Sequence, residues 1–410
     1  MTFEELYRTM LKQAVERGSV QADDLEASAG HLDCLLHPQD HPLVWPLNPC
    51  TCPKEETHCA AACLFDAIVR RDDGTLAVDP DRCSGCGACI QACQSGNLTA
   101  SRDVLPALDA VKHAKGPVYA LIAPAFLGQF STVVTPGRLR SAFKLLGFTG
   151  MVEVALFADL LTLKEALEFD RNIHTETDFQ LTSCCCPMWI GMIRKLYHEL
   201  MPHVPGAVSP MIAAGRTVKK LHPDAVTIFV GPCIAKKAEA READLAGAVD
   251  YVLTFQEMQD IFQAADIHPE LLEESERDHS SRAGRIYART GGVSEAVRTT
   301  VARLHPERPI QVRIRQADGV PACRAMIEDI RSGQHQANFF EGMGCTGGCV
   351  GGPKVLLDRE TGRENVDRYG DEAEFSTPLD NPYVLKLLRL LGFDTVEEFL
   401  EQSDIFIRHF

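Results

Sequence analysis

Eight cysteines fall within 44 residues: Cys50, Cys52, Cys59, Cys63, Cys83, Cys86, Cys89 and Cys93. A segment that short has little room for an apolar core, so it folds around what its side chains ligate. Three further cysteines are consecutive at Cys184, Cys185 and Cys186, and Cys34, Cys233, Cys323, Cys345 and Cys349 complete the sixteen. In a small secreted protein such density reads as disulfides. Here the chain has 410 residues and begins MTFEELYRTMLKQ, with acids where an export signal needs an apolar stretch. The expectation is a cytoplasmic protein, where thiols stay reduced and clustered thiolates are metal ligands first. A net charge of −16 disfavours nucleic acid and anionic membranes as partners. No apolar run reaches the roughly 18 residues of a spanning helix.

The length suggests two or three domains. Residues 2–17 read as an amphipathic helix with Thr2 and Glu5 at capping-box spacing and Gly18 as its stop, opening an N-terminal helical extension over 1–46. The cysteine-dense segment occupies 47–100. Over 116–357, short apolar runs alternate with helical patterns, the texture of parallel sheets in an α/β domain, here of two lobes. Candidate strands are 118–123, 152–156, 179–181, 226–230, 251–253, 311–315 and 338–341. Candidate helices include 164–169, 188–200, 236–246 and 256–265. Residues 358–374 read as a charged connector, and 381–391 and 395–400 as helices of a C-terminal segment over 358–410. No HExxH or Walker loop is present, which argues against a zinc hydrolase and a P-loop nucleotide-binding enzyme.

Cys83-x2-Cys86-x2-Cys89-x3-Cys93 has the spacing of a bacterial ferredoxin loop, against which a structural zinc site is the alternative. Three cysteines on one turn reach three irons of a cube, and the fourth serves the other cluster. Gly85 and Gly87 let the backbone close on the sulfides. By this crossover Cys63 joins Cys83, Cys86 and Cys89, while Cys93 joins Cys50, Cys52 and Cys59. The segment resembles α+β dicluster ferredoxin domains with a widened first loop. Two 4Fe–4S clusters in series form a one-electron wire.

Three motifs carry the later cysteines: Thr182-Ser-Cys-Cys-Cys-Pro-Met-Trp189, Gly231-Pro-Cys-Ile-Ala-Lys-Lys-Ala-Glu239, and Glu341-Gly-Met-Gly-Cys-Thr-Gly-Gly-Cys-Val-Gly-Gly-Pro353. Each places a cysteine just past a strand, the first two at the start of a helix, where N–H groups face an anionic cluster. Lys236 lies one helical turn beyond Cys233 and either reaches the same site or belongs to a solvated helix face. In this order and separation the motifs resemble the signature segments of iron-only (FeFe) hydrogenases, in the monomeric variant with a three-cysteine first motif. Ala123-Pro124-Ala125, Phe157-Ala158-Asp159, Asp250 to Thr254, Thr290 to Val293 and Asn381-Pro382 extend the likeness over about 48–400.

The resemblance implies an H-cluster, a 4Fe–4S cube joined through one thiolate to a two-iron unit carrying CO, cyanide and a bridging dithiolate. It implies that Cys186, Cys233 and Cys345 hold the cube and that Cys349 bridges the two parts. Lys236, Pro124 and Ala125 then face the cyanides, Ser209-Pro210 forms a wall, and Met343 packs over the two-iron unit. Anchored on Pro187, Cys185 matches the proton donor and Cys184 is an extra thiol, while Glu165 and Glu168 match the outer relay. The relay serine falls at Pro205, which carries no proton, and Glu239 offers another route. Gly231 replaces a methionine of the second motif. The activity implied is reversible 2H+ + 2e− ⇌ H2, with ferredoxin or a similar one-electron carrier, protons, H2 and maturation proteins as partners. The competing readings are a non-catalytic iron–sulfur assembly or scaffold protein and a hydrogen sensor. Cys34 and Cys323 read as small buried hydrophobes.

Overall fold

The computed structural model describes all residues except 23–24, 54–56, 73–74, 183–184, 276–278 and 402. The first hundred residues make only short strands: β1 (Val44–Pro46), β2 (Ile68–Arg70), β3 (Leu76–Val78) and β4 (Leu98–Ala100). β1 pairs antiparallel with β4, and β2 with β3. The core between them is small: Val44, Ala67, Leu76, Val78 and Leu98 with Cys59 and Cys89. Ahead of it runs the helix Phe3–Arg17, whose Thr2 Oγ1 accepts from Glu5 N and whose Glu5 carboxylate returns the bond. Its face of Phe3, Leu6, Tyr7, Met10 and Leu11 is buried against the helices Val104–His113 and Phe255–Ala264.

The remainder is α/β, as the alternating texture predicts. β5 (Val118–Ile122), β6 (Gly150–Glu153), β7 (Gln180–Leu181), β8 (Val226–Gly231) and β9 (Tyr251–Thr254) are followed by β10 (Ile314–Asp318) and β11 (Phe339–Met343). One parallel sheet has the order β6-β5-β8-β9, and a second the order β10-β11-β7. Helices flank both sheets, and one continuous apolar core joins most of the molecule. Among the described residues no helix is long and apolar enough to cross a membrane.

Several boundaries differ from the sequence reading, each for a physical reason. The 164–169 helix is the middle of Ala155–Asn172, whose Phe157, Leu160, Leu161, Leu163 and Phe169 are all buried. A helix covered on nearly every side loses the apolar–polar period that betrays it. It begins at Ala155, which ends β6 short of 156. β10 starts three residues late, because the Asn338 side chain ties down Arg313 N and Gln311 O outside the ladder. The helix over 236–246 is only Ala235–Ala240. The charged connector at 358–374 is also a helix, Arg359–Asp371, capped by Asp358 Oδ1 on Thr361 N at 3.0 Å. Its buried face is just Gly362, Asn365, Val366, Tyr369 and Gly370, too sparse a stripe to stand out from its charges.

Candidate metal centre

The motif cysteines sit where three parallel strands end. β8 stops at Gly231, and Cys233 follows just before the helix Ala235–Ala240. Cys186 caps the helix Pro187–Leu196 beyond β7, and its sulfur accepts from Gly344 N at 3.3 Å. Cys345 lies two residues past β11, and Cys349 opens the turn Cys349–Gly351. Strands of both sheets therefore deliver thiols into the crevice at their C-terminal ends, where open α/β sheets place ligands.

Electrostatics at this point disfavour free thiolates. Burial pushes Cys233 up to about 11 and Cys349 up to about 12, and neighbouring cysteine sulfurs push the same way. Lys236 and the N–H groups of Ala235 and Lys236 act in the opposite sense on Cys233. Among the described residues no group of three or more His, Cys, Asp or Glu converges tightly enough to hold one metal ion. The sulfurs instead border a cavity of about 710 Å³ lined by Cys233, Cys345, Gly344 and Met188. Cys186 and Cys349 do not line that cavity but act electrostatically on Cys233 and Cys345 beside it, and four soft thiols this close, with backbone donors aimed at them, fit an iron–sulfur cube.

The same cavity is lined by Cys63 and Cys86 of the N-terminal segment. Gly85 makes this closeness possible. Its φ of +70° is left-handed, and a Cβ there would stand 3.0 Å from Ala235 Cα. The cysteines of this segment separate into two groups. Cys83, Cys86 and Cys89 each feel Cys63 electrostatically. Cys50, Cys52, Cys59 and Cys93 line a different small cavity with His58. Arg70 borders it, its Nη2 lying 3.1 Å from Cys52 O and 4.0 Å from Cys50 Sγ.

Around the larger site the matched residues divide in role. Lys236 is buried and donates to Glu239 Oε2 at 2.6 Å. Burial opposes its charge, but Glu239 and the sulfurs of Cys233 and Cys349 more than offset that and raise it. Pro124 and Ala125 form the turn Pro124–Phe126 after β5, and Gln129 Nε2 donates to Ala125 O at 3.1 Å. Met343 is buried at the end of β11 in an apolar cluster against which Cys185 and Cys186 pack. The Ser209 hydroxyl accepts from Ile212 N at 3.4 Å and caps the helix Pro210–Leu221. Cys184 lies outside the described residues.

Glu165 and Glu168 are carried one turn apart on the helix Ala155–Asn172. Lys164, itself fully buried, donates to Glu168 Oε1. Sequence reasoning missed this lysine, although its i,i+4 spacing to Glu168 was visible; what marked it out was burial, which a charge does not advertise. Cys323 is buried as expected, and its thiol donates to Met343 O at 3.3 Å. Cys34 is likewise buried.

Comparison with known proteins agrees with this geometry. Residues 116–353, more than half the chain, match the family described as iron only hydrogenase large subunit, C-terminal domain. Residues 76–99 match the 4Fe-4S binding domain. Iron hydrogenase 1 of Clostridium pasteurianum is 28% identical over 275 residues, 57% of this chain and 48% of that protein. The NADP-reducing hydrogenase subunit HndD of Solidesulfovibrio fructosivorans is 25% identical over 365 residues, 74% of this chain and 62% of its own length. The match thus spans 48% and 62% of these curated relatives. A variant of the FeFe-hydrogenase HydA1 from Chlamydomonas reinhardtii shares the fold, with a TM-score of 0.62 at 21% identity over 75% of this chain and 98% of that one. With thiols from three strand ends meeting at one crevice and the family match covering every one of those strands, the chain belongs to the iron-only hydrogenase family.

Proposed function

We propose that this chain interconverts protons, electrons and H2 at an H-cluster held by Cys186, Cys233, Cys345 and Cys349, fed by two N-terminal 4Fe–4S clusters. The observation that carries the reading is the convergence of these four cysteines with buried Lys236 at one crevice. Against a scaffold stands the complete matched set, with Cys185 and Lys236 beside the four ligands. When bound, the H-cluster supplies the open iron and the basic amine at which H2 forms or splits. The protein holds it, excludes water and moves protons. Cys349 anchors the two-iron unit, Lys236 donates toward a cyanide, and Pro124, Ala125 and Ser209 shape the wall. Met343 covers the unit. Cys185 passes protons, supplied from outside by Glu165 and Glu168.

In the N-terminal segment, Cys63, Cys83, Cys86 and Cys89 hold the inner cluster, and Cys50, Cys52, Cys59 and Cys93 the outer one. Supporting this division are the two cavities and the mutual electrostatics of each set. We read 47–100 as the dicluster domain, 116–357 as the catalytic domain, and 1–46 and 358–410 as helical segments at either end. The electron donor or acceptor is a ferredoxin-like carrier, and assembly of the two-iron unit requires maturation proteins.

Infrared spectroscopy of protein co-expressed with hydrogenase maturation proteins tests the proposal. Sharp CO and cyanide stretches are expected, together with hydrogen evolution from reduced ferredoxin. Cys349→Ser should lose those bands and keep cube absorbance. Matured protein with cubes but no CO or cyanide bands would make this a scaffold instead. Activity with NADPH through a second subunit, and none with ferredoxin, would replace the proposed carrier.

A further inference from the structure

The glutamate pair poses a connectivity problem. Protons cross a protein interior along hydroxyls, carboxyls and water, and Pro205, at the matched serine position, has neither a hydroxyl nor an N–H.

Facing the same helix is β7. Gln180 Nε2 reaches Glu165 O at 3.5 Å, which places the Gln180 amide beside the helix turn between Glu165 and Glu168. Thr182 follows β7 and continues its ladder, Thr182 N donating to Phe340 O at 2.9 Å, so by strand alternation it falls on the same side as Gln180. Gln180 is 3% exposed and Thr182 is fully buried. Gln180 Oε1, Thr182 Oγ1 and Glu168 Oε2 have no hydrogen-bond partner among the described residues. Buried oxygens of this kind are rare, and they are commonly satisfied by ordered water with two to four polar partners. Glu168, whose side chain is 13% exposed, is the outer end, and Glu165, at 3%, is the inner end. Lys164 occupies only Oε1 of Glu168, leaving Oε2 facing inward.

We propose that water held by Gln180 and Thr182 carries protons between Glu168 and Glu165, in place of the hydroxyl absent at Pro205. The inference rests on the reading that these glutamates are the proton route. Each event is a pure proton relay: the Glu168 carboxyl releases its proton to the first water, each water passes one on, and the Glu165 carboxylate receives one. Glu168 is then reprotonated from solvent, and no electrons move. Gln180 and Thr182 are positioning residues, since they act through water and neither takes up the proton.

The test uses the matured protein and its form lacking the two-iron unit. Crystals of the latter should show ordered water within hydrogen-bond reach of Gln180 Oε1. Gln180→Leu and Thr182→Val should each slow hydrogen evolution at least about tenfold, below a full acid–base contribution because other waters remain. Both should raise the solvent isotope effect and leave the CO and cyanide stretches unchanged. Gln180→Glu should restore most of the rate. Full rates in both apolar variants, with Glu168→Gln impaired, would overturn the water link and spare the glutamate route. A full rate in Glu168→Gln would overturn the glutamate route itself. Should Gln180→Leu fail to fold, Thr182→Val and the water positions decide.

Discussion

Cys185 and Cys184 differ by one position, yet the chemistry assigned to them differs greatly. Cys186 caps the helix opened by Pro187, and this fixes the register of the run. Its predecessor packs against the cluster containing Met343. Proton delivery to a buried base needs a donor that is readily restored, and a thiol with an ordinary value near 8.5 meets that need where a serine hydroxyl does not. Cys185→Ser should therefore cut turnover per assembled cofactor at least about a hundredfold, the lower end of acid–base contributions, with the infrared bands retained. Cys184→Ser should change the rate far less. Hydrogen evolution with a chemical reductant makes the comparison, and a dead Cys184→Ser beside an active Cys185→Ser would shift the register by one.

The helix Ala155–Asn172 is the element on which distant segments meet. Asp159, fully buried in its second turn, accepts from Ser281 N at 2.7 Å, Gly284 N at 2.8 Å and Asn381 Nδ2 at 3.3 Å. Asp159 and Asn381 belong to stretches that resembled the family separately, and this hydrogen bond joins them. Burial pushes the Asp159 carboxyl up from 3.8 to about 6, against the pull of these donors. A carboxyl raised in the folded state binds protons there that the unfolded chain has already lost, so stability falls as pH rises between those values. The loss is on the order of 3 kcal/mol across that window. Chemical denaturation at pH 4 and pH 7 should show it, and Asp159→Asn should remove the pH-linked part; an unchanged slope in that variant would refute the cause. None of this was legible in the sequence. Local pattern alone revealed the cysteine motifs, the Thr2–Glu5 cap and strands β5 to β11, because chain-local geometry determines them, whereas the three-residue strands β1 to β4 are too short to show a period. The Asp159 knot, the burial of the Lys164–Glu168 and Lys236–Glu239 pairs, whose spacing alone was visible, and the length of this helix depend on which buried surfaces meet, which no local pattern records. The helix Arg359–Asp371 was lost for the opposite reason, its few apolar contacts being swamped by charge.

At the scale of the whole molecule the proposed electron path runs from the N-terminal segment to the crevice. Cys63 lies between two cysteine-bearing turns and lines the same cavity as Cys233 and Cys345. Cys93 follows Cys89 by four residues yet lines the other cavity, with Cys50, Cys52 and Cys59. If the crossover holds, the intact protein carries about fourteen irons, three cubes and a two-iron unit, and the two cysteines govern different steps. Cys93→Ser should lose the outer cluster and about four irons, and lower ferredoxin-driven hydrogen evolution at least about tenfold. A small dye that reaches the inner cluster directly should still drive it. Cys63→Ser should instead remove the cluster nearest the active-site cube, and with it the magnetic coupling between the two. Low-temperature electron paramagnetic resonance of reduced protein separates these outcomes. Loss of that coupling in Cys93→Ser, and its survival in Cys63→Ser, would mean that each loop binds its own four cysteines. The wire would then be wired in sequence order, and the shared cavity would have some other cause.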